Sequence, residues 1–300
     1  MQKILKHSSP RTRILYLLLF TLAGSFIAGA FLAMVSNSVP VFEKGIWHYR
    51  LSIVLQDIFV MFLPAYTVCR WITENPMQML GVRKTEKMPQ KLFYGFLVYL
   101  VSYPMIGIIA QWNEQLVFPD ALKGIENWMR RMEDAAKEVT DLFLSGNNYA
   151  DLFLNLLIIA AAAALVEELF FRGALQHFLE KWFGNGHAAV WTAAFIFSAV
   201  HLQFYGFFPR LIMGAVLGYL FLYSRNLWIP ILYHFVNNAS VVVITFFWGE
   251  SNRLEQLADK PLAWASLVVM FVSGLLTYFV FFRYKKLFKR NDSNSKYNTV

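Results

Sequence analysis

The stretch NLLIIAAAAALVEELFFRGA, residues 155–174, joins an unbroken apolar run to two adjacent glutamates and an arginine. A helix needs about 20 apolar residues to cross a hydrocarbon core about 30 Å thick. The run from Leu156 to Val166 belongs to such a helix, so Glu167, Glu168 and Arg172 fall at or inside its end. Ionisable groups inside a span are costly unless paired or hydrated, which makes those that are present functional candidates.

The rest of the chain has the composition of a membrane protein. Its 300 residues are 57% hydrophobic, 17% aromatic and only 15% charged, with a mean hydropathy of +0.45. That balance is not the one of a soluble domain. The net charge of +8 comes mostly from Lys and Arg that flank apolar segments. Lipid headgroups and topology signals account for it, and nucleic acid is not an expected partner. The single cysteine, Cys69, excludes an internal disulfide and a multi-cysteine zinc site.

Eight apolar segments are candidate spans: roughly 14–36, 51–72, 92–112, 150–172, 188–204, 207–224, 228–248 and 262–282. The expected fold is an all-α membrane protein of about eight transmembrane helices with a buried polar cavity open to the cytosolic side. Alternate loops hold 18 Lys and Arg on one side and nine on the other, so both termini are expected to be cytoplasmic. Three blocks organise the chain: 1–149 with three spans and an extracytoplasmic amphipathic loop, 150–248 as the core, and 249–300 with the last span and a basic tail. Within 113–149, Leu122, Ile125, Trp128, Met129, Met132, Ala136, Val139, Leu142 and Phe143 recur at helical spacing, which predicts a helix on the membrane surface or capping the bundle. The final NDSNSKYNTV has the composition of a disordered tail.

Spacing sorts the polar residues. Glu168 and Arg172 are four apart and share a helix face, whereas Glu167 is turned about 100° away. One glutamate is then neutralised and its neighbour left free. His234 and Asn238, also four apart, address a common point from the seventh span; His201 ends the fifth. Counted at 1.5 Å per residue, Glu167 lies about 8 Å and His234 about 9 Å from the inner face, while His201 is about 20 Å deep, a mismatch that makes the fifth span's boundary the weak element. Asp57 with Gln56 in the second span is a further polar intrusion, read equally as cavity lining or helix packing. Gly214 and Gly218 form a GxxxG that predicts close helix packing. His7, His48, His177 and His187 flank the spans or lie outside them.

A buried carboxylate can act as general base toward water. Imidazoles can orient that water or hold a metal, and an amide can donate to an oxyanion. The set suits hydrolysis of an amide bond and equally a proton-coupled carrier.

Three motifs tip the balance: EExxxR in EELFFR, FxxxH in FSAVH and HxxxN in HFVNN, in order on successive spans. Together, over roughly 150–245, they resemble the CPBP family of intramembrane proteases, which includes the type II CAAX prenyl endopeptidases and bacteriocin-processing or immunity-associated relatives. The resemblance implies an active site reached from the cytosolic side, in which Glu167 activates the water, His201 and His234 hold it and Asn238 serves the oxyanion. Glu168 and Arg172 become the supporting ion pair, with Phe197 packed behind His201. A metal-free glutamate mechanism is expected. The alternative is zinc held by Glu167, His201 and His234 with an open position for water, and it would need another base.

The function expected is thus an intramembrane endopeptidase acting on a peptide or protein, lipidated if family membership extends that far, in a bacterial inner membrane among its lipids. A non-catalytic immunity or peptide-binding protein is the alternative. A proton-coupled transporter is disfavoured because no inverted repeat or pair of broken helices is visible.

Overall fold

The computed structural model describes residues 3–146, 148–248 and 263–288. Among these residues every regular element is helical and none is a strand. Seven helices are long and apolar enough to cross a membrane, as expected of an all-α integral membrane protein. They are α1 (Pro10–Ser38), α2 (Ile46–Ile72), α3 (Met88–Glu114), α5 (Tyr149–Phe183), α7 (Phe207–Ser224), α8 (Trp228–Trp248) and α9 (Trp264–Phe288). Two further helices bear on the site, α4 (Lys123–Leu144) and the short apolar α6 (Gly186–Ala199). Residues 291–300, expected to be a disordered tail, lie outside the described residues.

Two boundaries differ from expectation, and both move the site. The helix expected at 150–172 continues as α5 to Phe183, where Gly184 takes a left-handed conformation (φ 64°) and stops it. Glu167 is therefore 16 residues, about 24 Å, from the end of its helix instead of the about 8 Å expected. His177 accordingly sits within α5 instead of flanking it. The segment expected at 188–204 is α6, only 14 residues long, or about 20 Å. It starts at Asn185, whose side chain accepts from His187 N and Ala188 N. It ends before His201, ahead of Gly206 and Pro209. Glu167 and His201 thus lie at similar distances from the α5–α6 turn, while His234 stays about 9 Å from the start of α8, so α5 extends well past that start. Arg172, one of the 18 Lys and Arg assigned to alternate loops, is 1% exposed inside α5.

Several spans depart from the α-helical ladder where chemistry demands it. In α2 the turn at Gln56–Phe62 is π-helical and lies just ahead of Pro64, which lacks an N–H and crowds the carbonyl four residues back. Helix α1 crosses this wide turn at Gly24, where a Cβ would stand 1.8 Å from the Phe59 carbonyl oxygen. In α3, Pro104 interrupts the ladder, and Ser273 of α9 supplies the missing partners by accepting from Met105 N at 3.1 Å and donating to the Val101 carbonyl. This is how a proline inside a span keeps its neighbours satisfied.

Helix α4 packs onto one end of the bundle. Trp128 meets Phe204 at 5.1 Å between ring centroids, the Arg130 guanidinium lies 4.4 Å over Tyr205, and Glu133 accepts from Tyr205 N at 3.1 Å. Asn113 of α3 clamps the same segment, donating to the Phe204 carbonyl and accepting from Phe208 N. The irregular chain between α6 and α7, which follows His201, is thereby held on two sides.

The α1–α2 crossing yields a prediction. Gly24→Ala forces a methyl against backbone and should cost about 1–3 kcal/mol. Gly29→Ala on the same helix, with nothing within 4 Å of its Cβ, should be neutral. Thermal unfolding of the two variants in detergent tests the contrast.

Candidate active site

Glu167 and Glu168 end a short α-helical stretch, Ala163–Glu168, bracketed by π-helical turns at Leu156–Ala162 and Leu169–Gln176. Such wide turns concentrate at functional sites, and here they flank the two carboxylates within one long helix. Glu168 is fully buried. Its Oε1 accepts from Arg172 Nη1 at 2.6 Å and from His234 Nδ1 at 2.9 Å. A carboxylate oxygen only accepts, so His234 carries its proton on Nδ1 and turns Nε2 outward. That Nε2 lies 3.7 Å from Glu167 Oε2. The gap is too long for a direct hydrogen bond and short enough for a bridging water.

Arg172 is the second buried charge. Besides Glu168 it donates through Nη2 to the Gly214 carbonyl at 3.1 Å, and its guanidinium lies 4.7 Å over the Phe197 ring. One turn further along α5, Gln176 Nε2 donates to the Gly218 carbonyl at 3.0 Å. The GxxxG of α7 therefore has two roles. Gly214 lets Ala194 and Phe197 approach, each at a distance of 3.2–3.3 Å from where its Cβ would be, and both glycines leave their carbonyls open to donors from α5. Gln176 and the two glycine carbonyls were missed as parts of the site. The signal was present: a polar pair at Arg172 and Gln176 with the same four-residue spacing as the glycine pair.

Phe197 joins the remaining parts. Its ring is 5.0 Å from the His201 ring, 6.0 Å from the His234 ring and 5.0 Å from Phe171, all near edge-to-face. Its carbonyl accepts from His201 Nδ1 at 2.7 Å. His201 thus also carries a proton on Nδ1 and leaves Nε2 for other partners. It lies within electrostatic range of Glu167 and His234, and the left-handed Leu202 (φ 55°) directly follows it.

Asn238, one turn beyond His234 on α8, is bonded to other partners. Its Nδ2 donates to the Ile159 carbonyl at 3.2 Å, inside the first wide turn of α5, and its Oδ1 accepts from Asn237. Asp57 is 7% exposed on the wide turn of α2, which packs against the stretch bearing Glu167. Its Oδ2 is buried without a hydrogen bond, and the carboxyl is in electrostatic range of Glu167. Arg210 lies within the same range while holding Gln203 by its side-chain and backbone oxygens.

The donor set does not fit a metal ion. Among the described residues no group of three His, Cys, Asp or Glu side chains converges closely enough to hold one. Glu167, His201 and His234 supply one carboxylate and two imidazole nitrogens, but not as the compact triad that zinc requires.

With this geometry in place, comparison gives the family context. Residues 149–240 match the family model described as type II CAAX prenyl endopeptidase Rce1-like, so the kinship inferred from the three motifs is found over that segment. A stretch of 92 residues is 34% identical to a protein of Bacillus subtilis (strain 168) described as "Uncharacterized protein YpbD"; it covers 29% of this chain and 41% of that relative. No solved structure matches this chain. The matched segment holds Glu167, Glu168, Arg172, Phe197, His201, His234 and Asn238, and excludes Asp57 and α9.

The buried triad predicts an asymmetry. Arg172→Ala strands the Glu168 carboxylate and should cost about 3–5 kcal/mol. Arg172→Lys keeps a charge but cannot reach Glu168, Gly214 and the Phe197 face together, and should recover only part of the loss. Denaturant melts in detergent measure both.

Proposed function

We propose that the protein is an intramembrane endopeptidase in which Glu167 activates a water against a peptide carbonyl near the cytosolic face. The observation that carries this reading is the fixed approach of His234 Nε2 to Glu167 Oε2 at 3.7 Å, imposed from behind by Glu168 and Arg172. A water between them donates one hydrogen to Glu167 and the other to an imidazole Nε2, leaving a lone pair for attack. Glu167 takes the proton as the carbon–oxygen bond forms and returns it to the leaving amine as the carbon–nitrogen bond breaks. His201, locked by the Phe197 carbonyl and within electrostatic range of Glu167 and His234, is assigned the second imidazole's part in holding that water. Asn238 spends one amide N–H on Ile159 and retains a second for the developing oxyanion.

The substrate is a peptide or protein, and kinship over residues 149–240 brings prenylated tails into its range. Both termini are cytoplasmic in this reading, and the membrane is a bacterial inner membrane. The basic bias of alternate loops supports the orientation, and it survives the transfer of Arg172 from loop to core.

One C-terminal reporter peptide, with and without a prenyl group, tests the proposal on purified protein. Glu167→Gln should lower cleavage about 10²–10⁴-fold with the fold retained. Absence of cleavage by wild type, with peptide binding that persists in Glu167→Ala and His201→Ala, would leave the non-catalytic reading in its place. Because the donors do not form a metal triad, chelation should leave the rate unchanged; loss on chelation restored by zinc would refute the metal-free mechanism.

A further inference from the structure

Away from the glutamates, a groove of about 460 Å³ opens between α7, α9 and the start of α6. One wall is a single face of α9. Gly274, Thr277, Tyr278, Phe281, Phe282 and Lys285 line it at intervals of three and four, the spacing of one helical stripe. The stripe rises over 11 residue steps, about 16 Å, which is half of a hydrocarbon core about 30 Å thick. The groove therefore runs the depth of one leaflet.

Its two ends differ in chemistry. At the Gly274 end the helix presents bare backbone, where a Cβ would stand 3.5 Å from Met105 Sδ, and the Thr277 hydroxyl is spent on the Ser273 carbonyl at 2.8 Å. The opposite wall is aromatic: Tyr219 and Tyr223 stack at 25°, with Phe281 edge-on to both. At the other end Lys285 is half-buried with its ammonium 5.2 Å over the Tyr223 ring. Among the described residues no carboxylate lies within ion-pair distance of it, and exposed Arg283 and Lys286 add positive charge nearby. His187, hydrogen-bonded at 3.0 Å to the Tyr219 hydroxyl, closes that end.

A slot one leaflet deep, apolar along its length and cationic at its mouth, is complementary to a lipid with a negative headgroup. We propose that this groove binds one anionic phospholipid, its phosphate at Lys285 and one acyl chain laid along α9 to Gly274. Basic pockets at the ends of membrane helices select anionic headgroups in this way. The site is independent of the proposed hydrolysis, and none of its residues belongs to the cluster around Glu168.

Native mass spectrometry of the full chain released from nanodiscs of equal phosphatidylglycerol and phosphatidylcholine tests it. Wild type should retain phosphatidylglycerol over phosphatidylcholine by about fivefold. Lys285→Ala should reduce the ratio to one, Lys286→Ala should leave it intact, and Gly274→Phe should remove the retained lipid by filling the slot. Gel filtration verifies that each variant is monodisperse; if Gly274→Phe does not fold, the two lysine variants decide. Equal retention of both lipids by wild type, an equal loss in Lys286→Ala, or displacement by millimolar inorganic phosphate would overturn the proposal.

Discussion

A single carboxylate sets the interior of this protein. Glu168, fully buried, accepts from both Arg172 and His234. A lone ion at such a site would cost several kcal/mol. The cost is offset because Arg172 spends its other donor on the Gly214 carbonyl and rests its flat face on Phe197. Through these few contacts α5, α6, α7 and α8 are fixed to one another. The polar core is held by directional bonds, since lipid provides no hydrophobic drive between helices.

That arrangement separates two neighbours in sequence into two chemistries. Glu168 holds both cation and imidazole on Oε1, its buried Oε2 making no hydrogen bond, while Glu167, one residue earlier and 16% exposed at its side chain, keeps its carboxylate for other partners. Both imidazoles are tied at Nδ1, one by a carboxylate and one by a carbonyl, so each turns Nε2 away from these partners. Phe197 serves the same end from the apolar side: its ring packs against both histidines and Arg172, and its backbone fixes His201.

Much of this was legible in the sequence because it obeys helical periodicity. The four-residue spacing of Glu168 and Arg172 gave their pairing, and apolar run length gave the membrane class. What escaped notice depended on contacts between distant segments. No local pattern shows that α5 continues to Phe183, because residues 173–183 mix apolar and polar types that a bundle interior accommodates and lipid does not. The length of α6 was overread because apolar composition persists beyond Ala199, while Asn113 and Glu133 capture the following backbone from other helices. Asn238 was aligned with His234 by spacing, yet its amide meets a carbonyl that only a wide turn in α5 turns toward it.

The wide turns explain why polar chemistry and membrane helices coexist here. A regular helix pairs every interior N–H and carbonyl once, leaving a neighbour only the second lone pair of a carbonyl that small side chains uncover. A π-helical turn loosens that ladder, and in this chain one such turn brings the Ile159 carbonyl to Asn238 while another carries Arg172 and Gln176 toward the glycine carbonyls of α7. The third places Asp57 against the stretch that bears Glu167. Irregular backbone is tolerated at membrane depth only where protein or water surrounds it. Three such turns gathered around one carboxylate are therefore the mark of an enclosed polar interior, formed by the same departures that place its side chains.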